Sequence, residues 1–187
     1  MSGPLLDAVL AGFLLSNPLL AGYIPTSALA ATERPANAWP YAVYGSAAML
    51  LFSCAGWLLH LTLLSTRAGW LELPLDIAIM WGINRLLPAA ARRSEALSAQ
   101  APFFALNCAV LGAGLMVTGR YPHDCAPALL FAIGLSVSFF SSVIIIAHVR
   151  ERIETGRFST RLAGWPSFLL LCGFCWITFQ GLALLAR

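Results

Sequence analysis

Long apolar stretches with few charged residues recur along the whole chain. A helix that crosses the hydrocarbon core of a membrane needs about 20 predominantly apolar residues. Stretches of about this length, numbered I to VI, cover residues 8–32, 41–64, 69–88, 101–118, 126–147 and 162–186. The sequence therefore predicts an all-α membrane protein in which six transmembrane helices form a single integral domain, residues 1–187.

Composition excludes the soluble classes of protein. Hydrophobic residues make up 59% of the chain and charged residues 10%, and the mean hydropathy is +0.80. Ordinary globular proteins are roughly 45–50% apolar and 25% charged, and disordered chains are more polar still. A net charge of +3 is too small and too scattered for a nucleic-acid surface. We expect membrane lipids as partners and no nucleic acid.

Stretch III is the least apolar of the six, because Glu72, Asp76, Asn84 and Arg85 interrupt it. These residues fall in its first two turns and its last turn, where short acids and a snorkelling Arg reach the lipid headgroups. We therefore prefer an interfacial role for them to an ion pathway.

Arginines are divided unequally between the two sides of such a bundle. With six crossings, the ends and loops joining I to II, III to IV and V to VI share one side, which carries eight Arg against three on the other. The positive-inside rule makes the eight-Arg side cytoplasmic, so both termini face outward. Residues 28–30 resemble a signal-peptidase site, but residues 1–7 contain no Arg, so we expect stretch I to be retained. The eight are Arg34, Arg85, Arg92, Arg93, Arg150, Arg152, Arg157 and Arg161, and the three are Arg67, Arg120 and Arg187.

Two prolines prevent stretch I from being one regular helix. Pro18 and Pro25 each remove a backbone donor and clash with the preceding turn. We expect the break near residues 16–18, about midway through the stretch, with Gly12 and Gly22 on either side.

Part of stretch I recurs at the start of stretch IV with a constant offset of 90 residues. The match predicts two three-helix repeats, about residues 5–88 and 97–187, and an odd number of helices per repeat gives the repeats opposite orientations. Inverted repeats have their site near the midplane, where the broken helices of the two halves meet. We expect stretches I and IV to be broken there, with the amides of Asn17 and Asn107 satisfying the broken ends. The matched pairs are Ala11 and Ala101, Phe13 and Phe103, Asn17 and Asn107, and Gly22 and Gly112.

Cys108 is the soft, redox-capable ligand at this position. Its residue type allows two interpretations, a small buried hydrophobe, which the pattern alone favours, or a metal ligand. The small residues after it, Gly112 among them, either pack helices closely or let the backbone approach a bulky cofactor. Cys172 and Cys175 form a CxxC pair, but no second such pair accompanies them, so we expect apolar filler rather than a zinc site.

Residues 107–112, Asn-Cys-Ala-Val-Leu-Gly, resemble a known family of membrane proteins. The family comprises the A subunit of the Rnf ion-translocating ferredoxin:NAD oxidoreductase complex and the E subunit of the sodium-translocating NADH:quinone oxidoreductase. The likeness runs along the whole chain. It is strong again at residues 149–153, Val-Arg-Glu-Arg-Ile, and weaker at residues 53–57 and 179–182.

The resemblance implies six helices in two inverted repeats, with both termini periplasmic, in the bacterial inner membrane. It also implies pairing with a homologous subunit of opposite topology and assembly with other Rnf-like subunits. In the family, each of the two paired subunits supplies two midplane cysteines, and the four hold one 2Fe-2S cluster. Cys108 matches the family cysteine of the fourth helix.

At the other family cysteine this sequence departs from the pattern. An ungapped comparison has Ser27 in the cysteine's place, and a gapped one has Ile24. A Ser hydroxyl is a poor iron ligand compared with a thiolate. Three arrangements stay open: three cysteines completed by Ser27 or solvent, a cysteine from elsewhere in the complex, or a subunit that kept the fold without the cluster.

The resulting hypothesis is a non-catalytic subunit of an ion-translocating electron-transport complex, or translocase, which relays electrons across the bilayer through the shared cluster. Ferredoxin or NAD chemistry belongs to its partners, because the loops are too short for catalytic domains. Haem is disfavoured, since His60, His123 and His148 lie near stretch ends or in a loop. The alternatives are a small secondary transporter, for which Asp76 is the best ionisable candidate, or a cluster-free structural scaffold.

Overall fold

The computed structural model describes residues 3–15, 35–66, 69–91, 108–155 and 165–185. Within these ranges six α-helices are present and no strand. A π-helical turn, Ala11–Leu15, continues the first helix, and a short 3-10 turn, Gly69–Leu71, precedes the third. The all-α prediction is thus confirmed for the part of the chain that the structure describes. The helices are α1 Gly3–Leu10, α2 Pro35–Thr66, α3 Glu72–Ala91, α4 Cys108–Arg120, α5 Cys125–Thr155 and α6 Trp165–Leu185.

Prolines mark where these helices begin. The first N–H groups of a helix have no intrahelical acceptor, so a proline in the first turn removes no hydrogen bond. Five of the six helices carry a proline within their first three residues, at Pro4, Pro35, Pro74, Pro127 and Pro166. The last turn of α4 is completed by a backbone bond from Tyr121 N to Val117 O of 3.0 Å.

The two longest helices form the centre of the bundle. Helices α2 and α5 have 32 and 31 residues, about 46 to 48 Å at 1.5 Å per residue, and they make the most extensive contact in the described residues. Both contain a window long and apolar enough to cross a membrane, Ala38–Leu63 and Cys125–Ile153. Among the described helices these two meet that test, so the count of six crossings stays a prediction.

The other helices are arranged around this pair in a regular way. Helix α1 and its π-helical turn pack on α5, and α4 packs mainly on α2; α3 packs mainly on α2, and α6 packs on α5. The contacts of the first three helices therefore correspond to those of the last three. Helix α1 packs on α5 as α4 packs on α2, and α3 packs on α2 as α6 packs on α5.

Stretch I leaves regular α-helical geometry earlier than expected. Helix α1 ends at Leu10, and the π-helical turn follows immediately. In that turn the carbonyl oxygen of Phe13 accepts a hydrogen bond from Ser138 Oγ on α5, at 2.7 Å. The expected break at residues 16–18 lies outside the described residues and stays a prediction.

Helix α3 corrects one expectation from the sequence. The sequence predicts that Asp76 reaches the membrane surface, but its side chain is only 3% exposed and lies against Gly56 of α2. The interfacial assignment is therefore wrong for Asp76. Distance from a helix end does not determine which face a side chain occupies, and Asp76 shares the α2-facing side of α3 with Met80. Arg85 is exposed, with its guanidinium carbon 4.9 Å from the centroid of the Trp81 ring.

The crossing of α1 and α5 depends on two glycines. A Cβ added to Gly134 would lie 2.5 Å from the carbonyl oxygen of Val9, and one added to Gly12 would collide with the carbonyl oxygen of Phe131. Both obstacles are backbone atoms, so a larger residue forces the helices apart.

We predict that Gly134→Ala lowers the stability of the purified chain by about 1 to 3 kcal/mol, because α1 has to move away from α5. Thermal unfolding in detergent measures the effect. Gly173→Ala on α6 is the matched control, since no described atom lies within 4 Å of a Cβ there. Equal melting temperatures for the two variants would contradict the prediction.

Candidate cofactor site at the start of helix α4

Cys108 is the first residue of α4, and its side chain is exposed. Leu115, two turns later on the same face, is 41% exposed, whereas Ala109, Val110 and Ala113 are completely buried. The exposed face of α4 therefore carries the thiol away from the chain's own core. A thiol in this position is available to a second chain or to a group held between two chains.

The opposite face of α4 is built for close packing on α2. Ala113 and Gly114 are buried, and a Cβ at Gly114 would collide with the ring of Phe52. Close helix packing, one of the two roles expected for the small residues after Cys108, is thus observed at Gly114. Because α4 is fixed at this contact, the orientation of Cys108 is fixed with it.

Two of the five predicted site residues lie in the described part of the chain. Cys108 and Gly112 are on consecutive turns of α4, the first exposed and the second buried. Asn17, Ser27 and Asn107 lie outside the described residues, so their approach to Cys108 stays a prediction.

The two cysteines of the CxxC pair differ from Cys108 in their burial. Cys172 is 4% exposed in the hydrophobic core, and Cys175 packs against that core, as expected for apolar filler. In the described ranges, no three His, Cys, Asp or Glu side chains are grouped so that they could hold a metal ion. A single outward-facing thiol fits the role of one ligand to a cluster shared with a partner, and it does not fit a cluster held by these helices alone.

None of the three histidines is part of α4, the helix that carries Cys108. His123 is exposed in the loop before α5, and Nδ1 of His148 lies 2.9 Å from the carbonyl oxygen of Ile144. His60 on α2 lies with Nδ1 2.7 Å from Oε1 of Glu72. These positions agree with the expectation that the histidines lie near helix ends or in a loop.

Sequence reasoning named Glu72 and Asp76 but did not predict that they form a buried polar group with His60 between α2 and α3. Glu72 and Asp76 are four residues apart, which puts them on one helix face, and this spacing was the available signal. It does not say what the face contacts. In the structure Glu72 pairs with His60, and one turn deeper Oδ1 of Asp76 is buried with no hydrogen-bond partner among the described residues.

Comparison with known proteins identifies relatives of the chain. Residues 6–186 match the family described as Rnf-Nqr subunit, membrane protein. The chain is 28% identical over 118 residues to the A subunit of the Na(+)-translocating ferredoxin:NAD(+) oxidoreductase complex of Acetobacterium woodii, covering 60% of this chain and 61% of the relative. It is 24% identical over 127 residues to the E subunit of the Na(+)-translocating NADH-quinone reductase of Chlamydia pneumoniae, covering 65% and 49%.

A third relative is matched over a longer range. The A subunit of the ion-translocating oxidoreductase complex of Syntrophotalea carbinolica is 25% identical over 141 residues, covering 72% of this chain and 72% of the relative. Against the first two relatives, the chain spans about half to three fifths of their length.

We predict that Cys108 reacts with a maleimide when it is the sole cysteine of the detergent-solubilised chain, because its side chain is exposed. A variant that retains Cys172 alone should react only after denaturation, since burial protects that thiol. Labelling followed by mass spectrometry measures both. Equal labelling of the two folded variants would show that the outward orientation of Cys108 is incorrect.

Proposed function

The chain belongs to the Rnf-Nqr family of membrane proteins, and from this premise we propose that it relays electrons across the bilayer within an Rnf-like ion-translocating complex. Its relatives are named as subunits of ion-translocating oxidoreductase complexes. The observation that carries the proposal is Cys108, an exposed thiol that opens α4 directly after Asn107 in the family-like segment. In this proposal the chain helps to hold a redox centre and to pass electrons, and other subunits carry out the catalytic steps.

The need for an intermediate carrier follows from the thickness of the membrane. A hydrocarbon core of about 30 Å is a long gap for electron transfer, and a carrier at its centre halves each step. A 2Fe-2S cluster, when bound, supplies a one-electron redox centre. Cys108 would contribute one thiolate ligand to it, and a homologous membrane subunit of opposite topology would contribute others.

The remaining residues of the site have supporting roles in this proposal. Ser27 would face the same site as a weak ligand or as none, because a hydroxyl binds iron poorly compared with a thiolate. The amides of Asn17 and Asn107 would hydrogen-bond the backbone at the broken helices. Gly112, one turn after Cys108, would leave room for close approach of backbone.

The arrangement of helices supports an inverted repeat. Each main contact of helices α1 to α3 has a counterpart among the main contacts of helices α4 to α6, as an internal two-fold relation requires. A three-helix repeat crosses the membrane an odd number of times, so the second repeat is inverted relative to the first. The arginine distribution then favours periplasmic termini in a bacterial inner membrane.

The secondary transporter is the second candidate, and the burial of Asp76 is the observation that favours it. An ionisable residue inside a membrane bundle marks ion or proton movement. Ion translocation within a redox complex needs such a residue as well. Absorption and electron paramagnetic resonance spectra of the purified complex separate an electron carrier from a transporter and from a scaffold without a cluster.

We predict that Cys108→Ala removes iron from the membrane sector of the complex and abolishes electron transfer through it, while the helix bundle stays folded. Ser27→Cys should increase retention of the cluster during purification, because a thiolate replaces a hydroxyl. Iron analysis and the paramagnetic signal measure both effects. Cys172→Ala is the control and should leave iron content unchanged. Full iron content and electron transfer in Cys108→Ala would support the scaffold instead.

We further predict that Asn17 and Asn107 lie close together at mid-depth in the membrane. In a Cys108→Ala background, the pair Asn17→Cys and Asn107→Cys should form a disulfide on mild oxidation. The pair Asn17→Cys and Asn37→Cys should not, because Asn37 is in the first turn of α2, at the expected membrane surface. Gel mobility without reductant reads out the cross-link. Absence of the first cross-link, with formation of the second, would exclude the inverted-repeat arrangement.

A further inference from the structure

The α2–α3 hairpin buries a polar group that the electron-relay role does not use. Its outer level is the pair formed by His60 and Glu72, whose side chains are 17% and 23% exposed. One turn deeper, Asp76 is 3% exposed. Exposure therefore decreases from the hairpin end inward, from a partly open imidazole–carboxylate pair to an enclosed carboxyl group.

Asp76 lies where α2 leaves room for it. A Cβ at Gly56 would lie 3.3 Å from Asp76 Oδ1, so this glycine lets the carboxyl group sit directly against the α2 backbone. Oδ1 is buried and makes no hydrogen bond to any described residue. An ionised carboxylate left unpaired at low dielectric is unfavourable, because burial removes its solvation and no opposite charge replaces it. Addition of one positive charge removes that cost.

The surroundings favour a proton over a metal cation. Hard cations take several oxygen ligands, whereas Glu72 already has one carboxylate oxygen bonded to His60. None of the described side chains forms a metal-binding group. From outside α3, the His60 imidazole acts on Asp76, and an imidazole is the side chain best suited to passing protons near neutral pH.

The charged groups around Asp76 are few. Glu72 on its own helix and His60 on α2 act on it, and the turn Gly69–Leu71 contains no charged residue. On α4 the charged residue is Arg120, whose guanidinium carbon lies 5.7 Å from the centroid of the Phe131 ring on α5. No cation within the described residues is bonded to the buried oxygen of Asp76.

We propose that Asp76 is a proton-binding site of this chain, loaded from the α2–α3 hairpin end through the His60–Glu72 pair. The step moves one proton: a hydronium ion at the hairpin end gives its proton to His60 or Glu72 and becomes water, and that group passes a proton to the Asp76 carboxylate and returns to its starting form. No electron moves and no other bond changes. The inference deepens the proposed function and rests on it for its role in ion translocation, since it names the group that takes up the ion.

Infrared spectroscopy of the full chain, reconstituted in lipid without iron or other subunits, tests the site directly. We expect the carbonyl band of a protonated carboxylic acid near pH 7, shifting when water is replaced by D2O. Asp76→Asn, which keeps the side-chain shape, should lose this band. Asp124→Asn is the matched control and should retain it, because Asp124 is exposed in the loop before α5.

The His60–Glu72 pair is tested by the rate of hydrogen–deuterium exchange at the same band. His60→Gln should slow exchange by about 100-fold, the scale of a positioned acid–base group, and should leave the band present. Identical spectra of the wild-type chain and Asp76→Asn from about pH 5 to about pH 8 would overturn the proposal. A band that disappears on addition of NaCl at constant pH would overturn it in favour of a cation site. Because this sample contains no cluster, failure of the electron-relay proposal would appear in the iron analysis and not here.

Discussion

Close packing against glycine is the interaction on which this bundle depends. Lipid tails are as apolar as leucine side chains, so helices in a membrane associate through tight packing rather than through the hydrophobic effect. The chain has such a contact at three of its main helix pairs: Gly134 for α1 with α5, Gly45 against Phe139 for α2 with α5, and Gly114 against Phe52 for α2 with α4. Together these contacts attach α1 and α4 to the central pair.

This packing links the fold to the site. Because the small residues of α4 are used against α2, the helix has one orientation, and the thiol at its start faces outward. A larger residue at Gly114 would move or rotate α4 and would displace Cys108 without touching it. Packing therefore determines whether the chain presents its sulfur to a partner.

Much of the architecture was predictable because apolar length is a local property. Stretches II, III, V and VI each coincide with a described helix to within a few residues at most ends, although α5 runs eight residues beyond stretch V. Which face of a helix is buried is not a local property, because it depends on the helices that pack against it. Asp76 is in the second turn of α3 and Asn84 is about two turns before its end, yet both have a buried side-chain oxygen with no partner in the described ranges. The early end of α1 could not be predicted from the local sequence either, since it depends on contacts with Ser138 and Gly134, more than 100 residues away.

The polar side chains Asp76 and Asn84 of α3 are separated by an apolar residue, and this separation affects how a proton could move along the helix. Between Asp76 and Asn84 the same face carries Met80, which is 8% exposed and has a thioether that neither donates nor carries a proton. In this conformation the polar side chains of α3 do not form a continuous proton pathway, because Met80 separates Asp76 from Asn84. In the proposed role, a proton held on Asp76 therefore exchanges with the hairpin end in this conformation, and its release on the other side requires α3 to change its neighbours.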